Sequence, residues 1–382
     1  MAGAILGDLG ADVIKIETKA GDPGREFMRI IGAESGLKGN NYYFEHNNHN
    51  KRSLVLDLKK AGGKDVFFKL IDTADVFLTN MSIDAPIKIG IGPEVLLKRN
   101  PRLIYAQASG WGRKGPDAND LSFDYTGIAR SGLMMTCGER GNPPAQVIPG
   151  VGDEVGAMVC AWGVTAALYA REKTGRGQLV DTSLMGSIIA SLGLVMAAPA
   201  MLGQEFQRGK RDEAGNPLYS HYKCSDGKWL AIAHLQPDKY WPNVCRAIGI
   251  PELIEDTRFG SIESRCEHGK ELVAIFDGKF ATKPRDEWLK ILKDANCICT
   301  PIQSPLEVTN DPQAIANNYF IEVDYPEWGK VKTVGFPWDF SDTPAVRRRP
   351  SPGFGQHTEE ILQELGYGQD EIAEFKHNGI TK

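Results

Sequence analysis

The chain has 382 residues, 42 of them Gly, with 42% hydrophobic and 24% charged residues and a formal charge of −5. This is the make-up of an ordinary soluble α/β protein, long enough for a large core and more than one domain. It carries no basic footprint: the run Arg347-Arg348-Arg349-Pro350 is too short to provide one, so nucleic acid is excluded as an expected partner.

In chain order, the first 110 residues alternate helical and short apolar patterns, the signature of a parallel sheet covered by helices. The pattern predicts a helix over 1–10, strands over 12–17 and 54–58, a helix over 64–73, strands over 76–79 and 103–108, and a helix near 94–99. A doubly wound sheet normally opens on a strand, whereas this pattern opens on a helix, so a front strand is expected to be missing. Next, Val151-Gly152-Asp153-Glu154-Val155-Gly156 reads as a Gly-rich turn feeding an apolar helix that starts near Glu154 and covers 155–170. A second uncharged stretch, Thr182 to Gln204, is long enough to imitate a membrane span. Its Ser183, Ser187, Ser191, Gly193 and Pro199 make it weakly hydrophobic for lipid, and a buried helix is expected, with deep burial or a large subunit interface for both apolar segments.

Beyond it the pattern changes. Alternation over 222–235 around Ser225-Asp226-Gly227 signals a hairpin, and amphipathic helices follow at 239–247, 264–280 and 285–295. The tail holds short strands near 320–323 and 330–334 and helices from Thr358 and Gln369. The expected fold class is thus α/β, a Rossmann-like large domain with a parallel sheet over 1–204, a smaller α+β domain over 205–310, and a return to the large domain over 311–382.

Seven cysteines without a CxxC pair fit reduced thiols in a cytoplasmic protein, with Cys297 and Cys299 read as core. The histidines show no metal-ligand spacing except the isolated pair His46 and His49, placed in an Asn-rich loop, so no metal is expected. Gly150, Gly152 and Gly156 do not have dinucleotide-loop spacing, and no Walker A, HExxH or GxSxG sequence occurs. The carboxylate of Asp153, at the start of a helix, is either its N-cap or a nucleophile kept ionised by the helix dipole, with Gly152 leaving room for a bulky electrophile.

Several separate motifs tip that balance: Leu9-Gly10-Ala11-Asp12-Val13-Ile14-Lys15-Ile16-Glu17, Lys51-Arg52-Ser53 with Leu56-Asp57-Leu58-Lys59, Gly152-Asp153, Lys173 to Gln178, and Gly355-Gln356-His357-Thr358. Together they resemble the class III coenzyme A-transferases, the superfamily shared with α-methylacyl-CoA racemases, over essentially the whole chain. The resemblance implies that Asp153 attacks an acyl-CoA thioester, giving a mixed anhydride, then an aspartyl-CoA thioester, then CoA transfer to an incoming carboxylate. Coenzyme A is then a substrate, and a small organic carboxylate and a second copy of the chain are partners. The family fold implies an interlocked homodimer. By resemblance Arg25, Lys59 and Lys88 fall where family members hold the nucleotide, Leu56 and Asn80 on adjacent contact positions, and Leu184 at the pantetheine end. Backbone N–H groups at the helix start are the physical candidates for oxyanion donors.

Three departures from the family pattern stand out. Family members begin earlier, with a strand and an Ala-Gly-Pro loop that touches CoA. Racemases place a catalytic His where Phe123 precedes Asp124 here, and phenylalanine cannot shuttle an α-proton. Some transferases close a glycine run over the intermediate, where this chain reads Ala233-His234-Leu235-Gln236-Pro237, and Gln236 stands near where racemases keep a Glu. The leading expectation is an acyl-CoA:carboxylate CoA-transferase; the alternatives are a racemase-type isomerase or a catalytically impaired CoA-binding protein. Phe123-Asp124-Tyr125-Thr126, the 143–150 loop and Asp286-Glu287-Trp288 look similar to a subgroup acting on aryl-substituted acids.

Overall fold

A computed structural model describes residues 1–27, 32, 41–326 and 328–382. Two compact units emerge: Met1–Met134, Gln146–Gln204 and Asn318–Lys382 form the first, Met135–Ala145 and Glu205–Asn317 the second. The segment Met135–Ala145, expected within the large domain, packs with the second unit.

The first unit carries the parallel strands. β1 (Val13–Glu17) pairs with β2 (Lys51–Val55), and β4 (Ile104–Ser109) lies between β3 (Val76–Thr79) and β5 (Gln178–Ser183). β4 is buried over its first four residues, as an apolar strand covered on both faces must be, and β2 is buried along its whole length with the polar Lys51, Arg52 and Ser53 bonded to Asn48, Asp12 and Glu17. Leu54, Leu56, Phe67, Ile71, Leu96, Leu103 and Tyr105 fill one side, together with Ile361 and Leu362 of the C-terminal helix Thr358–Glu364. Ala106, Cys160, Ala161 and Val164 form a second cluster where the helix Val151–Thr174 and the helix Ala2–Asp8 meet the sheet.

The sequence pattern does not predict β5; it predicts a buried helix over the uncharged stretch that begins at Thr182. The Gln-Leu-Val-Asp-Thr-Ser run of β5 is extended because each residue pairs with β4, from Ile104 with Gln178 to Ser109 with Ser183. The expected single helix after it is two, Leu184–Ser191 and Gly193–Leu202, bent by 90°. The second has no buried residue in the single chain, so the expected burial is not found there. The 155–170 helix is longer than read, Val151–Thr174, and on length and composition alone it passes as a membrane span. Its Cys160, Ala161, Val164, Ala167 and Arg171 are buried in the unit.

The second unit has β6 (Tyr219–Lys223), β7 (Trp229–Ala233) and β8 (Cys299–Ile302) as an antiparallel sheet. The expected hairpin is β6–β7, and Tyr222, Leu230, Trp241, Phe276, Phe280 and Trp288 fill the core against it. In the segment Asp286-Glu287-Trp288 both carboxylates are exposed, whereas Trp288 is 3% exposed and its indole N–H donates to the Phe280 carbonyl at 2.9 Å. β9 (Phe320–Tyr325) and β10 (Gly329–Val334) pair antiparallel back in the first unit.

Candidate active site

Asp153 sits in the first turn of Val151–Thr174, inside the helix and not at its cap; the helix begins three residues earlier than the sequence pattern indicates. The cap position belongs to Gly150, whose φ of 88° a side-chain-bearing residue would rarely adopt. The capping carboxylate comes from another helix, Asp124–Arg130. Asp124 Oδ2 accepts the Gly150 N–H at 2.8 Å, and Oδ1 accepts those of Gly152 at 2.8 Å and Asp153 at 3.0 Å. The helix-start N–H groups expected to serve as oxyanion donors are therefore occupied.

Gly152 is buried, and a Cβ there would stand 2.9 Å from Asp124 Oδ1, 3.0 Å from Ile128 Cγ2 and 3.1 Å from Ile188 Cδ1. The glycine thus lets three helices converge, which corrects the expectation that it opens space for an electrophile. Asp153 itself is exposed. Its carboxyl is nevertheless raised from 3.8 to about 6, chiefly by the protein packed around it, then by the charges of Asp124 and Glu154, with the Met1 amino group opposing. Because the side chain reaches solvent, this crowding is one-sided. Burial first, then the like charges, hold this carboxyl above its ordinary value although it sits at a helix start, and it is still ionised at neutral pH. Burial and the charge of Asp153 together raise the phenol of Tyr43.

Beside Asp153, Glu154 Oε1 meets His46 Nε2 at 3.1 Å. His46 and His49 lie on the helix Tyr42–Asn48 and the residue that ends it, not in a loop. Asn41 caps this helix by accepting the Phe44 N–H at 2.7 Å, which explains how an Asn-rich segment stays helical. His49 is 1% exposed, with Nε2 at 2.9 Å from Asp8 and 3.3 Å from Arg347. These groups and Met158, Phe336 and Trp338 border a cavity of about 490 Å³, within the range of small-molecule sites.

The residues expected to hold CoA divide into groups of different character. Arg25 lies on the turn Pro23–Glu26, where its Nη2 and Nε bind the two carboxylate oxygens of Glu17 at 2.7 and 2.9 Å and its Nη1 donates to the Pro352 carbonyl at 3.0 Å. Its guanidinium also lies 4.2 Å from the Phe44 ring centre. Glu17 is nearly fully buried; burial alone would raise its carboxyl, but bonds from Arg25 and Ser53 outweigh it and hold the group below its ordinary range. Leu56 is 1% exposed in the core, with its N–H given to the Glu17 carbonyl. Lys59 and Asn80 are exposed just past the C-terminal ends of β2 and β3, where nucleotides bind open α/β sheets. Lys88, at the end of the short helix Asp84–Lys88, is exposed and faces Asp84 at 3.9 Å. Leu184 opens the helix Leu184–Ser191 and packs where a Cβ on Gly127 or Gly156 would touch it.

Asp124 and the His46–Glu154 pair were not singled out from sequence. An Asp opening the run Asp124-Tyr125-Thr126-Gly127-Ile128 is a helix-start signal that could have flagged the first, but nothing local says which helix it caps. Among the described residues no group of three or more His, Cys, Asp or Glu has the geometry of a metal site.

The sequence profile described as CoA-transferase family III matches residues 1–358. The (R)-2-hydroxy-4-methylpentanoate CoA-transferase of Clostridioides difficile is 34% identical, over 99% of this chain and 94% of the relative. The cinnamoyl-CoA:phenyllactate CoA-transferase of Clostridium sporogenes is also 34% identical, over 98% of this chain and 92% of its own. Among solved structures, a CAIB/BAIF family protein from Brucella suis superposes with a TM-score of 0.85 at 27% identity, covering 95% of this chain and 94% of that one.

Proposed function

The chain belongs to CoA-transferase family III and is a CoA-transferase, and from that premise we propose that it moves CoA between organic acids through a covalent intermediate on Asp153. A carboxylate oxygen of Asp153 attacks the thioester carbonyl; the C–S bond breaks, CoA leaves as thiolate, and a mixed anhydride remains. The thiolate then attacks the Asp153 carbonyl carbon, releasing the donor acid as carboxylate and leaving an aspartyl-CoA thioester. An acceptor carboxylate attacks that carbon, expelling CoA thiolate, which takes the new acyl group and frees Asp153. No net proton is moved, so the site needs a nucleophile and oxyanion donors but no acid–base pair.

The observation that carries this reading is the placement of Asp153: exposed, in the first turn of a long helix, with its carboxyl raised to about 6 and therefore more basic than a free aspartate, yet ionised at neutral pH. Lys59, Asn80 and Lys88, all exposed, are the groups available to the nucleotide, whereas Arg25 and Leu56 support the site from within. The acceptor is proposed to be a hydrophobic organic acid, aryl or branched, in keeping with the names of the two bacterial relatives.

The working form is proposed to be a cytoplasmic, interlocked homodimer without a metal. The support is a large unpartnered apolar face on the first unit: Trp162 and Tyr169 of the long helix, and Leu194, Met201 and Leu202 of Gly193–Leu202, all stand exposed in the single chain. A partner copy covering them explains two span-like helices without a membrane.

Intact-protein mass after brief incubation with a mixed acyl-CoA pool, followed by peptide mapping, tests the mechanism. A CoA-sized adduct on Asp153 and its loss in Asp153→Ala are expected. Transfer retained by a folded Asp153→Ala variant would overturn the assignment.

A further inference from the structure

The carboxylate of Asp124 has no counter-ion among the described residues and is engaged by the backbone that carries Asp153. It accepts the N–H groups of Gly150, Gly152 and Asp153 at 2.8–3.0 Å, more donors than an ordinary N-cap side chain satisfies. It reaches them from the first turn of a different helix, Asp124–Arg130, whose Ile128 also packs where a Cβ on Gly152 would stand. We propose that Asp124 is a positioning residue for the transfer reaction, fixing the backbone from which Asp153 projects and supplying the negative charge that makes Asp153 a stronger nucleophile. The inference rests on the reading of Asp153 as the nucleophile.

Two physical effects act together. Geometrically, three short bonds pin the first turn, so the Asp153 carboxylate keeps one approach to the thioester; a displacement of about 1 Å in such a site costs on the order of a hundredfold in rate. Electrostatically, the Asp124 charge is the largest contribution after burial to raising the Asp153 carboxyl. The other charged or titratable groups facing Asp153 are Glu154 on its own helix, with His46 bound to it, Tyr43 on the helix Tyr42–Asn48, and the Met1 amino group, which burial pushes down to about 5. The same arrangement moves the source of oxyanion stabilisation. With the helix-start N–H groups given to Asp124, the tetrahedral oxyanions must find other donors, and the helix start serves the nucleophile instead of the transition-state oxygen.

The sign of the pH effect follows. Asp153 must be ionised to attack, so adduct formation in the wild type declines as pH falls through about 6. Asp124→Asn removes the charge, so the Asp153 carboxyl drops toward its ordinary value and the decline moves to lower pH. The Asn oxygen still accepts from Gly152 and Asp153, while its amide opposes the Gly150 N–H, so part of the cap survives. Asp124→Ala leaves all three N–H groups without this acceptor.

The test is the rate of CoA-adduct formation on Asp153 against pH, by quenched mass spectrometry with an acyl-CoA mixture that includes cinnamoyl-CoA, in wild type, Asp124→Asn and Asp124→Ala. The expected result is a midpoint moved down by at least about half a pH unit in Asp124→Asn, and adduct formation slowed at least about tenfold in Asp124→Ala. A purely structural cap would slow the reaction equally at every pH, so an unmoved midpoint in Asp124→Asn overturns the proposal while leaving the Asp153 nucleophile standing. Absence of any Asp153 adduct in the wild type overturns both. If neither variant accumulates as folded protein, a midpoint near the ordinary 3.8 for carbodiimide labelling of Asp153 in the wild type overturns the proposal.

Discussion

Arg25 is the residue whose expected and observed partners differ most. Resemblance places it on the nucleotide, but in the structure the Nε and Nη2 edge of its fork binds Glu17 and Nη1 binds the Pro352 carbonyl, inside a loop pinned by Asp22 accepting the Gly24 N–H. Removing one member of a buried ion pair leaves the other charge without compensation. Arg25→Ala is therefore expected to lower unfolding stability by about 3 kcal/mol in urea, before any change in KM for CoA. Unchanged stability with a raised KM would return Arg25 to the ligand. His234, beside the segment Leu235-Gln236-Pro237, is likewise structural: fully buried, with Nδ1 against the Leu218 carbonyl at 3.2 Å and Nε2 accepting the Ile298 N–H at 3.0 Å.

At the scale of elements, the proposed catalytic region is a junction of three helices: Asp124–Arg130, the start of Val151–Thr174, and Leu184–Ser191. Gly152 makes their approach possible, and a methyl group there would press on Asp124, Ile128 and Ile188 at once. Gly152→Ala is expected to keep the fold but to slow transfer by roughly ten- to a hundredfold by shifting the first turn; turnover at the wild-type rate would show that the junction has slack. The element pattern was legible in segments with one apolar face such as β3, read at its observed bounds, and the helix over 285–295, whereas the strand expected over 54–58 lies at Lys51–Val55 and the helix expected over 264–280 is two, Ile262–Glu267 and Gly269–Phe280. It failed at β5, a Gln-Leu-Val-Asp-Thr-Ser run with only two apolar residues, and at Tyr42–Asn48, an Asn- and His-bearing helix with weak local propensity. Pairing with β4 and the Asn41 cap decide those cases.

At the scale of the whole molecule, the exposed apolar face of the long helix and of Gly193–Leu202 calls for a partner, and light scattering at micromolar concentration is expected to give twice the 41.9 kDa of one chain. A monomeric mass would remove the proposed explanation of that face. The sequence by itself determined the α/β class, the Gly-Asp block and the family, because hydrophobic periodicity and short motifs are local along the chain. Only the tertiary structure decided that Asp124 caps the Asp153 helix, that Arg25 belongs to Glu17 and that His46 meets Glu154. These partners are 29, 8 and 108 residues apart. Which carboxylate reaches which N–H over such separations is set by how the helices pack, and no local pattern encodes it.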